Sequence, residues 1–384
     1  MWAPRRLYAN VALPDNPPAM SVLLILSVGS LVGTNILDSV EAFRPGLRVV
    51  GINSDAQAPN NFRCDRVFLA PSAQDADAYW QQVQRVLELE RPDVVLAGRD
   101  DDVALMADWR TRHAHWAHCL VTGDASLSLA MLDKRVGHDW ARARGLPFAP
   151  TVAANDPHAR KQCSAWIGEL GCALIAKPRA GNGSRGVRLL LDQSALAATL
   201  GDADLVIQPY LSDAGPYRAQ QQQSAVGLPL FWTPTLTQYV AQTVIGPQGK
   251  VIGRFDMEAQ MVAGRCEHAQ AFDNPQLRDI GDRYAENLAA AGWRGPVNVQ
   301  LVRHPTLGFQ VIEFCARIAG GMMPRLILGF DEMALTLSAW TGKNFVRQPA
   351  LPISSLALRV TRDVGQDDAA CAALRKHGSW PASS

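Results

Sequence analysis

Short apolar runs alternate with longer amphipathic stretches along the first third of the chain. Residues 22–26 read as a buried strand, followed by a turn of small residues and a helix through Phe43. Residues 48–52 and 92–97 read as further strands, with a helical composition at 75–90 between them. Strands that alternate with helices are typical of a parallel, doubly wound sheet. The pattern therefore predicts an open, Rossmann-like α/β domain at 21–125.

The pattern changes after residue 125 and predicts a second, larger α+β unit. Its predicted elements are, in chain order, a helix at 133–145, strands at 173–177, 187–191, 205–211, 238–245 and 250–255, a helix at 276–291, and strands at 297–302 and 309–314. The polar stretch 212–234 is expected to be a mobile loop inserted into this unit. We assign 126–340 to the second unit, 341–384 to a C-terminal segment and 1–20 to a disordered extension.

Composition narrows the class of protein. The charges nearly cancel, with 37 Lys and Arg against 36 Asp and Glu, so neither a nucleic acid nor an anionic membrane is expected as partner. The longest apolar run is far too short to span a bilayer. Seven cysteines without C-x-x-C pairs indicate reduced thiols in a cytoplasmic protein rather than disulfides or a zinc ribbon.

Three segments contain residue types that are common in binding sites, but the spacing of those residues does not match a known motif. The glycines of 27–33 stand at the wrong offsets for a dinucleotide fingerprint, and we interpret them as a tight strand-to-helix turn. The segment 99–102, an arginine followed by three aspartates, comes after a strand, where α/β folds bind ligands, but helix capping and favourable charge at a helix N-terminus are the alternatives. His113, His115 and His118 do not share one helical face, which favours a solvated surface segment over a metal site.

A glycine-rich segment joins two predicted strands rather than a strand and a helix, which excludes a Walker A loop. Gly181, Gly183 and Gly186 allow the backbone to approach a phosphate and point N–H groups at it. Ser184 adds a hydroxyl. Lys177 ends an otherwise apolar strand, and a buried ammonium requires an anionic partner. The segment therefore predicts a phosphate-binding site.

A later strand pair carries oxygen ligands. Glu313 alternates with apolar neighbours and is expected to share a face with Val311 and Cys315, while Gln300 stands on the preceding strand. Carboxylate and amide oxygens on adjacent strands suit Mg²⁺. Arg317 is placed to stabilise a developing oxyanion or a phosphoryl group. A purely structural ion pair between Glu313 and Arg317 is the alternative.

Taken in order, the segments over 126–340 resemble the ATP-grasp superfamily, in the branch of carbamoyl-phosphate synthase and biotin carboxylase. The resemblance implies an open α/β domain followed by two lobes that hold ATP between their sheets. It implies nucleotide contacts at Lys134, Lys177, Gly181, Gly183, Ser184, Gly186, Gln208, Pro209, Tyr210 and Leu211. It also implies metal ligands at Gln300, Glu313 and Cys315, and catalytic roles for Arg317 and Glu313.

The chain departs from the family pattern at three positions. Gln208 stands where the hinge usually has an acidic residue, and Gln238 where a ribose-binding glutamate is common. Cys315 replaces a metal-ligating asparagine, and a thiol is a poor ligand for Mg²⁺. The resemblance therefore leaves the number of metal ions open.

The resemblance implies a ligase that uses ATP and Mg²⁺ or Mn²⁺ to join a small-molecule carboxylate to an amine through an acyl-phosphate. Substrate contacts are expected at Arg99, Asp100 and Asp101 and near Gln220, and a homodimer is one option for assembly. Two alternatives remain open: an enzyme that forms carbamoyl- or carboxyphosphate, and a catalytically degenerate ATP-binding regulatory protein.

Overall fold

The computed structural model describes residues 20–181, 183–223, 232–348, 353–360 and 363–381. The extension expected to be disordered, residues 1–19, lies outside the described residues, and so does Asn182 of the glycine-rich segment. None of the helices in the described ranges is long and apolar enough to cross a membrane.

Strands and helices are numbered in chain order. The strands are β1 (Ser21–Ile25), β2 (Leu47–Asn53), β3 (Arg66–Leu69), β4 (Val94–Leu96), β5 (Val152–Ala153), β6 (Leu174–Pro178), β7 (Arg188–Leu190), β8 (Leu205–Pro209), β9 (Leu236–Ile245), β10 (Val251–Val262), β11 (Arg265–Ala271), β12 (Gly295–His304), β13 (Gly308–Cys315), β14 (Ala357–Leu358) and β15 (Ser379–Trp380). The α-helices are α1 (Leu31–Val40), α2 (Ala76–Glu90), α3 (Asp100–Arg112), α4 (Ala125–Leu132), α5 (Lys134–Arg142), α6 (Ala159–Leu170), α7 (Gln193–Thr199), α8 (Gly215–Gln223), α9 (Pro275–Ala290), α10 (Met322–Ile327), α11 (Glu332–Thr341) and α12 (Asp368–His377).

The first sheet has the order β15-β3-β2-β1-β4. Strands β1 to β4 run parallel, and β15 pairs antiparallel with β3. The strand order reverses between β1 and β4, and the crevice beyond the carboxyl ends of such strands is where open α/β sheets bind ligands. Ser30, the N-cap of α1, and Arg99, the N-cap of α3, both lie at this edge.

Two further sheets form the second unit. A four-stranded sheet has the order β5-β8-β6-β7, and a six-stranded sheet has the order β13-β12-β9-β10-β11-β14. The apolar side of the larger sheet packs against α9 through Leu277, Tyr284 and Leu288, all of which are buried. Its other side carries most of the polar residues discussed below.

The predicted fold class, a parallel α/β sheet followed by a two-sheet α+β unit, is confirmed, with corrections to individual elements. Five strands were not predicted: β3, β5, β11, β14 and β15. The stretch 212–234 was predicted to be a loop, but residues 215–223 form α8, because alanine and glutamines with good helix propensity fill it. Residues 224–231 lie outside the described residues. The segment 341–384 supplies β14 to the six-stranded sheet and β15 to the first sheet.

A β-bulge on β13 changes which residues share a face. Gln300 pairs with Glu313 and Leu301 pairs with Val311, so Ile312 is an extra residue on β13. The bulge reverses the alternation, because one inserted residue moves all later side chains to the opposite side. The prediction that Glu313 shares a face with Val311 is therefore wrong. Glu313 lies with Cys315 and Gln300, while Val311 lies on the apolar side.

Candidate active site

The glycine loop, residues 179–187, connects β6 to β7, which pair antiparallel. Gly181, Gly183 and Gly186 have φ values of 125°, 63° and 71°, a region that L-residues rarely adopt. Ser184 also has a positive φ, 58°. A Cβ on Gly186 would lie 2.9 Å from Pro178 Cγ, so this glycine is required by space as well as by conformation. Residues 180, 181 and 183–186 of the loop are exposed.

The loop also touches the other sheet. A Cβ on Gly264, in the turn between β10 and β11, would lie 2.7 Å from the carbonyl oxygen of Gly183 and 3.0 Å from Ser184 Oγ. Only a residue without a side chain permits this approach between the two lobes. The turn thus places the six-stranded sheet directly against the exposed glycine loop.

Lys134 connects the glycine loop to β13. Its Nζ donates to the carbonyl oxygen of Gly181 at 3.3 Å and lies 3.6 Å from Glu313 Oε2. Asp133 fixes the start of α5 by accepting from the backbone N–H groups of Arg135 and Val136, and it also pairs with Arg179 at the base of the loop. The lysine therefore lies between the two elements that the sequence assigned to phosphate and to metal.

Lys177 is buried at the end of β6, with an exposed fraction of 8%. Burial lowers the pKa of its ammonium group to about 8; Glu313 opposes the decrease and Lys134 adds to it. Two lysines thus face one carboxylate, which leaves a local excess of positive charge. An anionic ligand such as a polyphosphate would balance that excess.

The polar face, defined as the side of the six-stranded sheet that carries Gln242, Asn298, Gln300, Glu313 and Cys315, brings the predicted metal ligands together. Gln300 Nε2 lies 3.6 Å from Cys315 Sγ, and that thiol lies 3.5 Å from Glu313 Oε1. Burial raises the pKa of the Cys315 thiol, and the charge of Glu313 raises it further. The protonated thiol donates to Glu313 and is unsuited to bind a hard cation.

These donors fit one Mg²⁺ better than two. Glu313 supplies a carboxylate and Gln300 an amide oxygen, which matches a cation held by few protein oxygens and completed by phosphates. The described residues contain no group of three or more His, Cys, Asp or Glu side chains that would hold a metal ion by themselves. A site of this kind depends on the ligand's own oxygens.

Arg317 is held by the first domain. Its Nε donates to Asp100 Oδ1 at 2.6 Å, and its Nη1 donates to the carbonyl oxygen of Ile318. Asp100 opens α3, so the acidic run 99–102 contributes a partner for the predicted catalytic arginine. Asp102 caps the same helix and is buried beneath it, where it accepts from Ser27 and Tyr79. Burial raises the pKa of Asp102 to about 6.

The glycines after Arg317 are also fixed from two sides. The carbonyl oxygen of Gly320 accepts from Asn35 of α1 at 3.2 Å and from Arg359 at 2.8 Å. The turn that carries Gly320 and Gly321 therefore contacts both the first domain and the C-terminal segment. These two contacts place Arg317 at the boundary of the domains.

The predicted hinge lies between the two lobes, but the side chain of one of its residues is buried within a lobe. Gln208 is buried, and its Nε2 donates to Thr151 Oγ1 at 2.8 Å. Pro209 ends β8, and the backbone N–H of Tyr210 donates to Ala173. Leu211 packs against Val302 of the six-stranded sheet. The side chain of Gln208 is thus part of the lobe's core, which leaves its backbone and Tyr210 for contact with a base.

The remaining sequence candidates are the histidines at 113, 115 and 118, beside Cys119, and Gln238. His115 and His118 are exposed, whereas Cys119 is buried in the first domain and belongs to its core. Gln238 lies on β9 opposite Ala259. All seven cysteines are unpaired, as expected for reduced thiols.

Sequence reasoning missed a buried polar network of Arg325, Glu332, Gln242 and Asn298, which joins the last two residues, on the polar face, to helices α10 and α11. All four side chains are at most 2% exposed. Glu332 is the first residue of α11, and an acidic residue at a helix N-terminus is usually explained by its favourable interaction with the helix dipole. The available signal was weak: Asn298 and Gln242 each stand in an otherwise apolar strand, where a polar side chain calls for a partner.

The comparisons agree with this architecture at the level of the fold. No protein-family model matches the sequence, and no curated protein matches it. Among solved structures, N5-carboxyaminoimidazole synthetase from Staphylococcus aureus complexed with ADP is similar, with a TM-score of 0.64 and 14% identity over 91% of this chain and 83% of that one. The biotin carboxylase–β-γ-ATP complex from Campylobacter jejuni is similar with a TM-score of 0.61 and 15% identity, over 88% of this chain and 74% of that one.

A third similar structure is the biotin carboxylase domain dimer of Hydrogenobacter thermophilus 2-oxoglutarate carboxylase, solved with MgADP, ADP and bicarbonate. Its TM-score is 0.60 at 14% identity, over 88% of this chain and 74% of that one. At such low sequence identity, structural similarity shows a shared fold and nothing more. The reaction has to be argued from the residues of the site. The chain has the fold of the ATP-grasp superfamily, with an N-terminal α/β domain followed by the two lobes of the grasp.

Proposed function

We propose that this chain is an ATP-dependent, ADP-forming ligase that joins a small-molecule carboxylate to an amine. One observation carries the proposal: Lys134 contacts both the glycine loop, through Gly181, and Glu313 on the polar face. Phosphoryl transfer requires positioning and neutralisation of charge more than covalent catalysis, and this convergence supplies both. The similar structures that contain ADP, ATP or MgADP support the same choice of nucleotide.

The nucleotide would bind between the lobes. Lys134 and Lys177 hold its phosphates, together with the backbone of Gly181, Gly183 and Gly186 and the hydroxyl of Ser184. The hinge, through the backbone of Gln208, Pro209 and Leu211 and the side chain of Tyr210, would face the base. A bound Mg²⁺, held by Glu313 and Gln300 and by phosphate oxygens, would neutralise phosphate charge.

The proposed reaction has two transfer steps. A carboxylate oxygen of the first substrate attacks the γ-phosphorus, ADP leaves, and an acyl-phosphate forms. The amine nitrogen then attacks the acyl carbon, inorganic phosphate leaves, and the nitrogen loses its proton. Arg317 is placed to orient the carboxylate and to stabilise the oxyanion, because its guanidinium is buried and held by Asp100.

A coupled assay of ADP release tests the proposal. The purified chain is supplied with ATP and Mg²⁺ and, in separate reactions, with bicarbonate alone or with each proteinogenic amino acid as the carboxylate together with ammonium or a second amino acid as the amine. Amine-dependent ADP release, with an amide product identified by mass spectrometry, is the expected result. ATP binding without turnover by any of these compounds would contradict it and favour a degenerate nucleotide-binding protein.

A carboxyphosphate-forming enzyme is the second candidate, because the similar biotin carboxylase domain was solved with bicarbonate. ADP release that depends on bicarbonate and not on amines would favour it. Light scattering on the same preparations tests whether the chain forms a homodimer. The proposal also includes localisation in the cytoplasm.

A further inference from the structure

The buried polar network is a continuous series of hydrogen bonds that joins two helices to the polar face. Arg325 Nη2 donates to Glu332 Oε1 at 2.6 Å, and Gln242 Nε2 donates to Glu332 Oε2 at 2.7 Å. Asn298 Nδ2 then donates to Gln242 Oε1 at 2.9 Å. The series crosses from α10 and α11 to β9 and β12, so it links the helices after Arg317 to the strands of the site.

The direction of these hydrogen bonds follows from the charge at one end. An ionised carboxylate only accepts, so Glu332 requires a donor from Gln242 and thereby directs the amide N–H₂ group of Gln242 toward itself. The carbonyl oxygen of Gln242 then faces Asn298 and requires the N–H₂ group of that side chain. Burial raises the pKa of Glu332, whereas the ion pair and hydrogen bond with Arg325, which is always protonated, oppose that increase and favour the ionised carboxylate. The network therefore fixes the orientation of two successive amides.

The last side chain of the series, Asn298, is left with its carbonyl oxygen as an acceptor. With Nδ2 committed to Gln242, Asn298 is left with Oδ1, and no donor in the described part of the chain faces that oxygen. Asn298 lies directly opposite Cys315 on the polar face, and Arg317 follows two residues beyond Cys315. The oxygen thus belongs to the part of the polar face nearest the arginine, away from the glycine loop.

We propose that Asn298 Oδ1 accepts a hydrogen bond from the amine nitrogen of the acceptor substrate, and that the network holds it in that orientation. An oriented acceptor favours a ligand that carries N–H groups and disfavours an anion such as bicarbonate, whose oxygens would face another oxygen. The inference rests on the proposed ligase function and specifies the chemistry of one substrate. Asn298 is a specificity-determining residue, and Gln242, which acts through it, is a positioning residue.

The test measures the KM for the amine that gives the most ADP release in the screen described above, and separately the Kd for ATP. Asn298→Leu, which is similar in size and lacks the acceptor, is expected to raise the amine KM about tenfold, as one lost hydrogen bond would. The Kd for ATP should not change, because the nucleotide binds at the glycine loop. Asn298→Ala, with the same expectation, covers the case in which leucine does not fold.

A double-mutant cycle separates positioning from general stability. Gln242→Met frees Asn298 to rotate and is expected to raise the amine KM about threefold; in the Asn298→Leu background it should change the KM no further. Gln260→Met, an exposed glutamine on β10 of the same sheet, is the matched control and should behave like the wild type.

The outcomes distinguish this inference from the proposed function. Amine-dependent ADP release with an unchanged amine KM in both Asn298 variants overturns the inference alone, as does an equal loss of ATP affinity or fully additive effects in the cycle. ADP release that responds to bicarbonate and to no amine, or no ADP release at all, overturns both the inference and the proposed ligase.

Discussion

The glycine loop and the polar face meet at Lys134, yet they are built in opposite ways. The loop is exposed, contiguous in sequence, and depends on backbone conformations that glycine adopts readily. The polar face is largely buried and assembled from side chains far apart in sequence, with Gln242 and Glu332 separated by 90 positions. We expect the loop to adapt its backbone to a bound ligand, whereas the polar face presents side chains whose orientation is set by hydrogen bonds within the protein.

The largest expected effect is on the polar face. Glu313→Ala removes the carboxylate that faces both lysines and is expected to reduce ADP release by about a thousandfold or more, because the transfer loses its charge balance. Turnover is measured with the coupled assay, and circular dichroism checks the fold. Glu258→Ala, on β10 of the same sheet, is the control. Activity within a few fold of the wild type in Glu313→Ala would contradict the assignment of this site.

Removal of Glu332 should affect stability rather than nucleotide contact. Glu332→Ala leaves Arg325 buried without its carboxylate, and breaking such a pair costs about 3–5 kcal/mol. The expected result is a clear decrease in the thermal unfolding midpoint, measured by intrinsic tryptophan fluorescence. Glu332→Gln, which keeps an acceptor at the same place, should lose less. Equal midpoints for the wild type and the alanine variant would show that the network contributes little.

The glycine loop should show the converse, with weaker binding and nearly unchanged stability. Gly186→Ala meets a positive φ and a Cβ contact of 2.9 Å with Pro178, so the loop must rearrange. We expect the Kd for ATP to rise about tenfold, the equivalent of about 1.4 kcal/mol, measured by isothermal titration calorimetry. Gly171→Ala, which has a φ of 62° and nothing near its Cβ, is the matched control. A similar loss of affinity in both variants would contradict a specific role of the loop.

The smallest effect expected is a change with pH. Burial lowers the pKa of Lys177 to about 8 in the free protein, and bound phosphates favour the charged form, so binding raises that pKa. ATP affinity should therefore decrease as pH rises above about 8, with protons taken up on binding. Calorimetry in buffers of different ionisation enthalpy measures both quantities. Lys177→Arg should flatten the profile, and proton release by the wild type would contradict the assignment.

The contrast between the two regions also explains how far the sequence could predict the structure. The glycine loop and Lys177 are adjacent in sequence and have a local pattern, so their arrangement was predictable. Strand β11 was missed because Arg265–Ala271 is mostly polar and becomes a strand only through pairing with β10 and β14. Strand β3 was missed because four residues are too few to show a period.

On the polar face the prediction from the sequence was wrong for a different reason. Strict alternation placed Glu313 with Val311, and only the extra residue Ile312 reverses that order. A bulge depends on how two strands pair and leaves no mark in the pattern of one strand. The buried polar network likewise joins residues from four elements, and long-range hydrogen bonds of this kind have no local signature. The ion pair between Asp100 and Arg317 spans 217 positions for the same reason.

The C-terminal strand β15 has a practical consequence for anyone who expresses this chain. By pairing with β3, it covers an edge of the first sheet whose backbone N–H and C=O groups would otherwise be available to another molecule. A version shortened before Ser379 would expose that edge and is expected to self-associate through it. An affinity tag intended to leave the sheet intact should therefore extend beyond β15 rather than replace it.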